Sequence, residues 1–161
     1  MKFSTKHLIL INLLILFGFL AMSISSKETL LKEGQLVLLE LVPIDPRSLM
    51  QGDYMRLEYA IAQRKYGEVY GKQGYVVIRL DEDGVGEAQR YQQDKLPLEP
   101  GEILLPYRNS EWDTDIGANS YFFQEGREDD FAEARYGGLR VDDDGNSVLA
   151  GLYNEERQLI E

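Results

Sequence analysis

The sequence predicts a mainly β, α+β chain: an N-terminal transmembrane helix followed by one mostly antiparallel β domain with one short helix. Three observations predict it. Leu8 to Met22 is an apolar run interrupted by one plainly polar residue, Asn12. Beyond Lys27 the chain breaks into short apolar runs divided by turn residues, the pattern of a β domain. Two Asp-Gly pairs, Asp83-Gly84 and Asp144-Gly145, each sit between two such runs, and Asp-Gly supplies the positive φ angles that tight hairpins demand.

The N-terminal segment comes first. Lys2, Lys6 and His7 form a basic head free of acidic residues, and Ser23 to Ser26 closes the apolar run. At about 1.5 Å per residue the strict run covers roughly 22 Å. Thr5 to Ile24, at about 20 residues, just crosses a hydrocarbon core of roughly 30 Å. A secretory signal has the same outline, and Ala21-Met22-Ser23 is an acceptable small-x-small cleavage site. Both readings put the rest of the chain outside the cytoplasm, because Lys2 and Lys6 stay inside while Lys27/Glu28 and Lys32/Glu33 cancel. Nothing polar marks a solvent face, which argues against an ordinary core helix. The chain therefore divides into an anchor over 1-26 and a domain over 27-161.

All 28 acidic residues and 15 of the 17 basic ones follow the apolar run, for a net charge of 15 − 28 = −13. Such a body repels phosphate backbones, so nucleic acid is excluded as a partner. Anionic lipid surfaces repel it too, which leaves the helix as its membrane contact. Cysteine is absent and His7 is the single histidine, so disulfides, thiolate ligands and imidazole ligands are unavailable to the domain. Roughly 135 residues suffice for one core. No cofactor and no metal site is expected.

Along the domain, Gln35 to Val42 is almost continuously apolar and suggests a strand covered on both faces. Asp53 to Ala62 alternates, with Met55, Leu57, Tyr59 and Ile61 on one face and Tyr54, Arg56, Glu58 and Ala60 on the other. Gly74 to Leu80 and Val85 to Tyr91 form the first hairpin. Glu102 to Tyr107 and Ser120 to Phe123 are two more strands, separated by a polar loop over Arg108 to Asn119. Arg127 to Tyr136 reads as the short helix, with Asp129 and Asp130 near its start and Gly137 past its end. Leu139 to Val141 and Ser147 to Leu152 close the chain as the second hairpin.

The candidate binding residues cluster around one corner. In Asp45-Pro46-Arg47-Ser48, Pro46 fixes φ and holds Asp45 extended, so the segment ends the first strand in a turn. Asp45, Arg47 and Asp53 could also line a polar pocket with the guanidinium clamped by a carboxylate. Gly52 permits a close or left-handed backbone and Asp53 ties the turn. Leu57 and Tyr59 then point into the core, while Tyr54 offers an aromatic anchor. Tyr hydroxyls need partners where buried.

Catalytic sets fare worse. Leu49-x-x-Gly52-Asp53-x-Met55-x-Leu57 resembles the strand start of type I signal peptidases, but Ile44 occupies the position of their nucleophilic serine. Ser48 lacks an activating base, since Lys65, Lys72 and Lys95 lie in polar connecting segments. The acidic stretches ending in Gly84 and Gly145 suggest calcium loops, yet aligning either glycine with the sixth loop position puts Arg79 or Arg140 where the first carboxylate belongs. Both are hairpin turns. Trp112, Tyr107, Tyr121 and Phe122 could form a sugar or peptide platform, although aromatics of a β domain more often fill its core. No catalytic constellation emerges, and the chain is not expected to be an enzyme.

Gly52-Asp53-Tyr54-x-x-Leu57-x-Tyr59 is similar to the defining string of the GDYXXLXY family, bacterial membrane-anchored proteins of uncharacterised molecular function. Pro43 to Leu49 resembles that family's lead-in. A second block, Tyr121-Phe122-Phe123-Gln124-Glu125-Gly126, then Ala134 to Gly137 and Leu139 to Val141, also resembles it. Gln51 stands where a basic residue is usual, and Gln124 where proline is common. The resemblance implies a single-pass protein of the cytoplasmic (inner) membrane whose C-terminal domain faces the periplasm, with Glu125 and Gly126 as motif residues. It also implies a multi-pass membrane protein as partner, and it implies no reaction. The leading expectation is an extracytoplasmic binding or scaffolding domain. Its alternatives are an envelope hydrolase using paired carboxylates on glycan or peptide, and a small-ligand sensor.

Overall fold

The computed structural model describes residues 5–42, 54–63, 71–109, 114–124 and 126–160. One helix, α1 (Thr5–Glu33), precedes a strand-rich body. It is longer than the apolar run requires and continues past residue 26 into the polar segment, where Lys32 pairs with Glu28 one turn back at 3.8 Å. Its apolar side chains from Leu8 to Ile24 are exposed, and only Leu30 near its end is buried. By length and composition α1 can cross a membrane.

The exit from α1 is fastened to the body. The Gly34 N–H donates to the Leu30 carbonyl at 2.9 Å, and Arg140 Nη1 donates to the Gly34 carbonyl at 2.9 Å. A Cβ on Gly34 would meet the Leu30 carbonyl oxygen at 2.6 Å, so the close turn into the first strand depends on glycine here.

That strand is β1 (Gln35–Glu40). It pairs antiparallel with β8 (Tyr136–Val141), which pairs in turn with β9 (Ser147–Tyr153), giving the sheet β1-β8-β9. Val37, Leu38 and Leu39 are buried in succession, so both faces of β1 are covered, as the unbroken apolar run predicts. A second sheet has the order β4-β3-β5-β6, built from β3 (Gln73–Leu80), β4 (Gly86–Gln92), β5 (Glu102–Asn109) and β6 (Thr114–Asp115). A separate ribbon joins β2 (Tyr54–Arg56) to β7 (Ser120–Phe122). Every ladder within these sheets is antiparallel.

One apolar cluster fills the space between the elements. Val37, Leu39, Tyr59, Ile78, Leu105 and Leu139 form part of it, joined by Phe131 and Leu152. The alternation across Asp53 to Ala62 survives in the burial: Leu57 and Tyr59 are buried, Met55 and Ile61 pack against the cluster, and Tyr54, Arg56 and Ala60 are exposed. The strand itself is shorter than expected. It ends at Arg56, Tyr59 bridges Leu41, and Ala60–Ala62 turns into a 3₁₀ helix.

Three expectations change. Arg127 to Tyr136 is not an α-helix; only Glu128–Phe131 winds, as 3₁₀, and Tyr136 already belongs to β8. The physical reason is the short distance to the next strand. Phe131 drops into the core against Tyr121 and Phe123, and the Arg135 N–H bonds to the Tyr153 carbonyl, so extended pairing begins before a second turn can form. Arg108 to Asn119 is not simply a loop, because β5 runs on to Asn109, β6 pairs with it, and Ile116 and Ala118 are buried. In the two Asp-Gly turns only Gly84 and Gly145 take positive φ, at 81° and 85°. The preceding Asp81 and Asp142 carboxylates hold these longer loops instead, each accepting two backbone N–H groups.

Candidate functional site

The corner selected from sequence is partly within view. Asp45, Pro46, Arg47, Gly52, Asp53 and Glu125 lie outside the described residues, as do Ser48, Lys65 and Trp112. Tyr54, Leu57, Tyr59 and Gly126 are described, and they separate into two roles.

Leu57 and Tyr59 are structural. Tyr59 is among the largest fully buried side chains, and its hydroxyl donates to the Ala118 carbonyl at 2.8 Å. Burial pushes its pKa well above the ordinary tyrosine value, so the phenol stays neutral. Backbone bonds fix the same segment from both sides, from Leu57 N–H to Asn119 O at 2.9 Å and from Val42 N–H to Glu58 O at 2.8 Å. Gly126 is exposed and left-handed at φ 84°, a turn residue between the β7 ribbon and the 3₁₀ segment.

Tyr54 faces outward. It pairs in register with Phe122 across the β2–β7 ribbon, and their ring centroids lie 5.7 Å apart. Phe122 is 74% exposed and Tyr54 37%. The flanking Tyr121 and Phe123 turn the other way, onto Phe131. The ribbon thus presents two aromatic rings to the outside while its opposite face feeds the core. Of the four aromatics expected as a platform, Trp112 lies outside the described residues and Tyr107 is buried against Tyr91.

Two polar features were not selected from sequence. The first is an ion cluster around Glu102, whose side chain is 3% exposed. Arg90 holds it bidentately, through Nη1 to Oε1 and Nη2 to Oε2. The Glu99 N–H adds a third bond at 2.8 Å, and Arg79 stands 3.9 Å away. Arg90 first, then the Glu99 amide, hold the carboxyl down at about 2. Arg90 also reaches the Pro97 carbonyl at 3.0 Å, so the cluster fastens the connection between β4 and β5.

The second is an open cleft of about 540 Å³ between α1 and the β3–β5–β6 edge. Lys27 of α1 lines one side, and Gln73, Tyr75, Arg108 and Asp115 line the other, with Asn146 from the β8–β9 turn. That turn is rigid. Asn146 donates to both Asp142 carboxylate oxygens, and Lys95 bonds the Asp144 carbonyl at 2.9 Å. Burial pushes the Asp142 carboxyl upward, but the Asn146 and Asp144 bonds with the Lys95 charge outweigh it and hold the group below its usual value.

With this geometry in place, the family model described as GDYXXLXY protein matches residues 16–152, most of the chain. The chain belongs to the GDYXXLXY family. The matched span includes the C-terminal 18 of the 29 residues of α1 and runs to Leu152 in β9, so the family corresponds to helix and body together. No curated protein and no solved structure matches the chain. Within the family string, Leu57 and Tyr59 serve the core and Tyr54 is its outward-facing aromatic. A local signal for the Tyr54–Phe122 pair existed only in part, since Phe122 lies on another strand far along the sequence.

Proposed function

We propose that this GDYXXLXY-family protein is a membrane-anchored, extracytoplasmic binding or scaffolding domain of the bacterial envelope that engages a multi-pass membrane protein. The exposed Tyr54–Phe122 pair carries the reading. Aromatic residues are favoured at interface centres because they bury large area at little entropic cost. An orientation with the body outside the cytoplasm is supported by Lys2 and Lys6 ahead of the apolar run and by the neutral balance after it. Arg47 and Asp53 would orient the partner beside Tyr54.

A binding role is favoured over a hydrolase. A general acid needs a carboxyl whose pKa is raised by its surroundings. Among the described residues, the carboxyls with a marked shift, Glu102 and Asp142, both move the opposite way, and each is occupied with holding a loop.

The test is co-purification from a mild detergent extract after cross-linking. Tyr54→Ala with Phe122→Ala is expected to release the cross-linked membrane protein while leaving the melting temperature of the body within a few degrees. Adding Arg47→Ala should weaken capture further. Undiminished capture by the folded triple variant overturns the assignment of this surface.

A further inference from the structure

We propose that the cleft between α1 and the β3–β5–β6 edge receives the phosphate and amine of a zwitterionic phospholipid headgroup. This inference rests on the anchored reading of α1. Gln73, Arg108 and Asp115 are successive register partners across β3, β5 and β6, so their side chains form one row on one face of the sheet. Tyr75 and Pro106 are the next pair along that face. Lys27 closes the cleft from the helix.

The height of the cleft fits the headgroup layer. Lys27 lies three residues beyond Ile24, about 4.5 Å along the helix axis. Each polar layer of a bilayer is roughly 5–7 Å thick beyond the hydrocarbon core. A helix crossing as far as Ile24 therefore sets Lys27 at the level of lipid phosphates. The sheet row facing it is at the same level, since α1, the start of β1 and the β8–β9 turn meet at one end of the body.

The charges select the headgroup. The body after the apolar run carries −13 overall, yet among the described residues this cleft is lined by two cations, Lys27 and Arg108, and one carboxylate, Asp115. A phosphodiester can accept charge-assisted bonds from both cations. Asp115 then faces the ammonium group, and its Oδ1 already accepts the Gly117 N–H. A net-anionic headgroup gains nothing from Asp115 and meets the field of the acidic body.

The experiment uses the full chain in detergent micelles, with phosphatidylethanolamine or phosphatidylglycerol added at equal mole fraction and adducts counted by native mass spectrometry. The wild type is expected to retain phosphatidylethanolamine preferentially. Lys27→Ala with Arg108→Ala should weaken retention by about tenfold or more, the scale of lost charge-assisted bonds. Asp115→Asn keeps an acceptor for Gly117 and should erase the preference between the two lipids. Displacement by soluble glycerophosphoethanolamine supports headgroup recognition. Adducts that resist displacement and follow acyl-chain length, equal retention by the double variant, or a wild-type preference for phosphatidylglycerol each overturn it. Anchorage is read separately by alkaline carbonate extraction of native membranes, where release of the wild type sinks the anchored reading itself.

Discussion

Gly137 is fitted to the ring of Tyr59. A Cβ added to the glycine would lie 2.8 Å from both Cε1 and the hydroxyl oxygen of the tyrosine. These two residues belong to the two separate sequence blocks that resemble the family, and the fold brings them into contact on β8. The tyrosine of the first block is thus seated by the glycine of the second.

Gly137→Ala forces the ring or the strand to move and should destabilise the body by about 1–3 kcal/mol, the usual cost of overpacking. Tyr59→Phe should cost a similar amount, about 1–3 kcal/mol, because it strands the buried Ala118 carbonyl. Their effects should be non-additive, since the sites touch. Thermal or denaturant unfolding of the two single variants and the double variant checks all three statements.

Gly145 and Gly84 share a positive φ but not a neighbourhood. A Cβ on Gly145 would meet the Leu104 carbonyl oxygen at 3.2 Å, whereas one on Gly84 would meet open space. Gly84→Ala should cost about 1–2 kcal/mol, the left-handed penalty alone. Gly145→Ala should cost measurably more in the same unfolding assay. Equal losses would mean that the packing of the β8–β9 turn on β5 contributes nothing.

Acid titration should expose the Arg90–Glu102 pair. The Glu102 carboxyl is held at about 2, down from the ordinary 4.5, so its stabilising effect is complete above pH 4.5 and is lost as pH falls through about 2. Glu102→Gln should be less stable than the wild type at pH 7, with the gap closing towards pH 2. A gap that stays constant over that range would contradict the ion-pair assignment.

Phe131 and Phe122 should behave oppositely despite belonging to one aromatic neighbourhood. Phe131 is 3% exposed, and Phe131→Ala should cost about 3–5 kcal/mol. Phe122→Ala removes a side chain that is 74% exposed and should stay within about 0.5 kcal/mol. This pair of melts also serves as the folding control for the partner-capture experiment.

Much of the fold was legible because its signals are local. Alternation placed Leu57 and Tyr59 inside and Tyr54 outside, and the Asp-Gly pairs located both hairpins. Signals that depend on distant partners misled. Acidic residues near Asp129 and a following Gly137 imitate helix ends, but β8 claims Tyr136 for pairing with β1 and β9. Ile116 and Ala118 alternate over too few residues to betray that they are buried. Likewise the cleft joins α1, three strands and a turn, and no stretch of sequence announces that Lys27 and Arg108 line one space. At that corner, the outward face of Tyr54 is legible from its strand alternation, while its ring partner Phe122 emerges only from the β2–β7 register.

The unbroken helix to Glu33, pinned at Gly34 by Arg140, has a mechanical consequence. On the anchored reading the body rides on a stiff mast, not on a leash. Its height is fixed by the roughly 10 Å of helix between Ser26 and Glu33 that runs beside it, and its azimuth turns only with the helix. Whatever it captures must come alongside at that fixed elevation, so lateral diffusion in the plane of the bilayer, not reach into the surrounding fluid, governs the encounter.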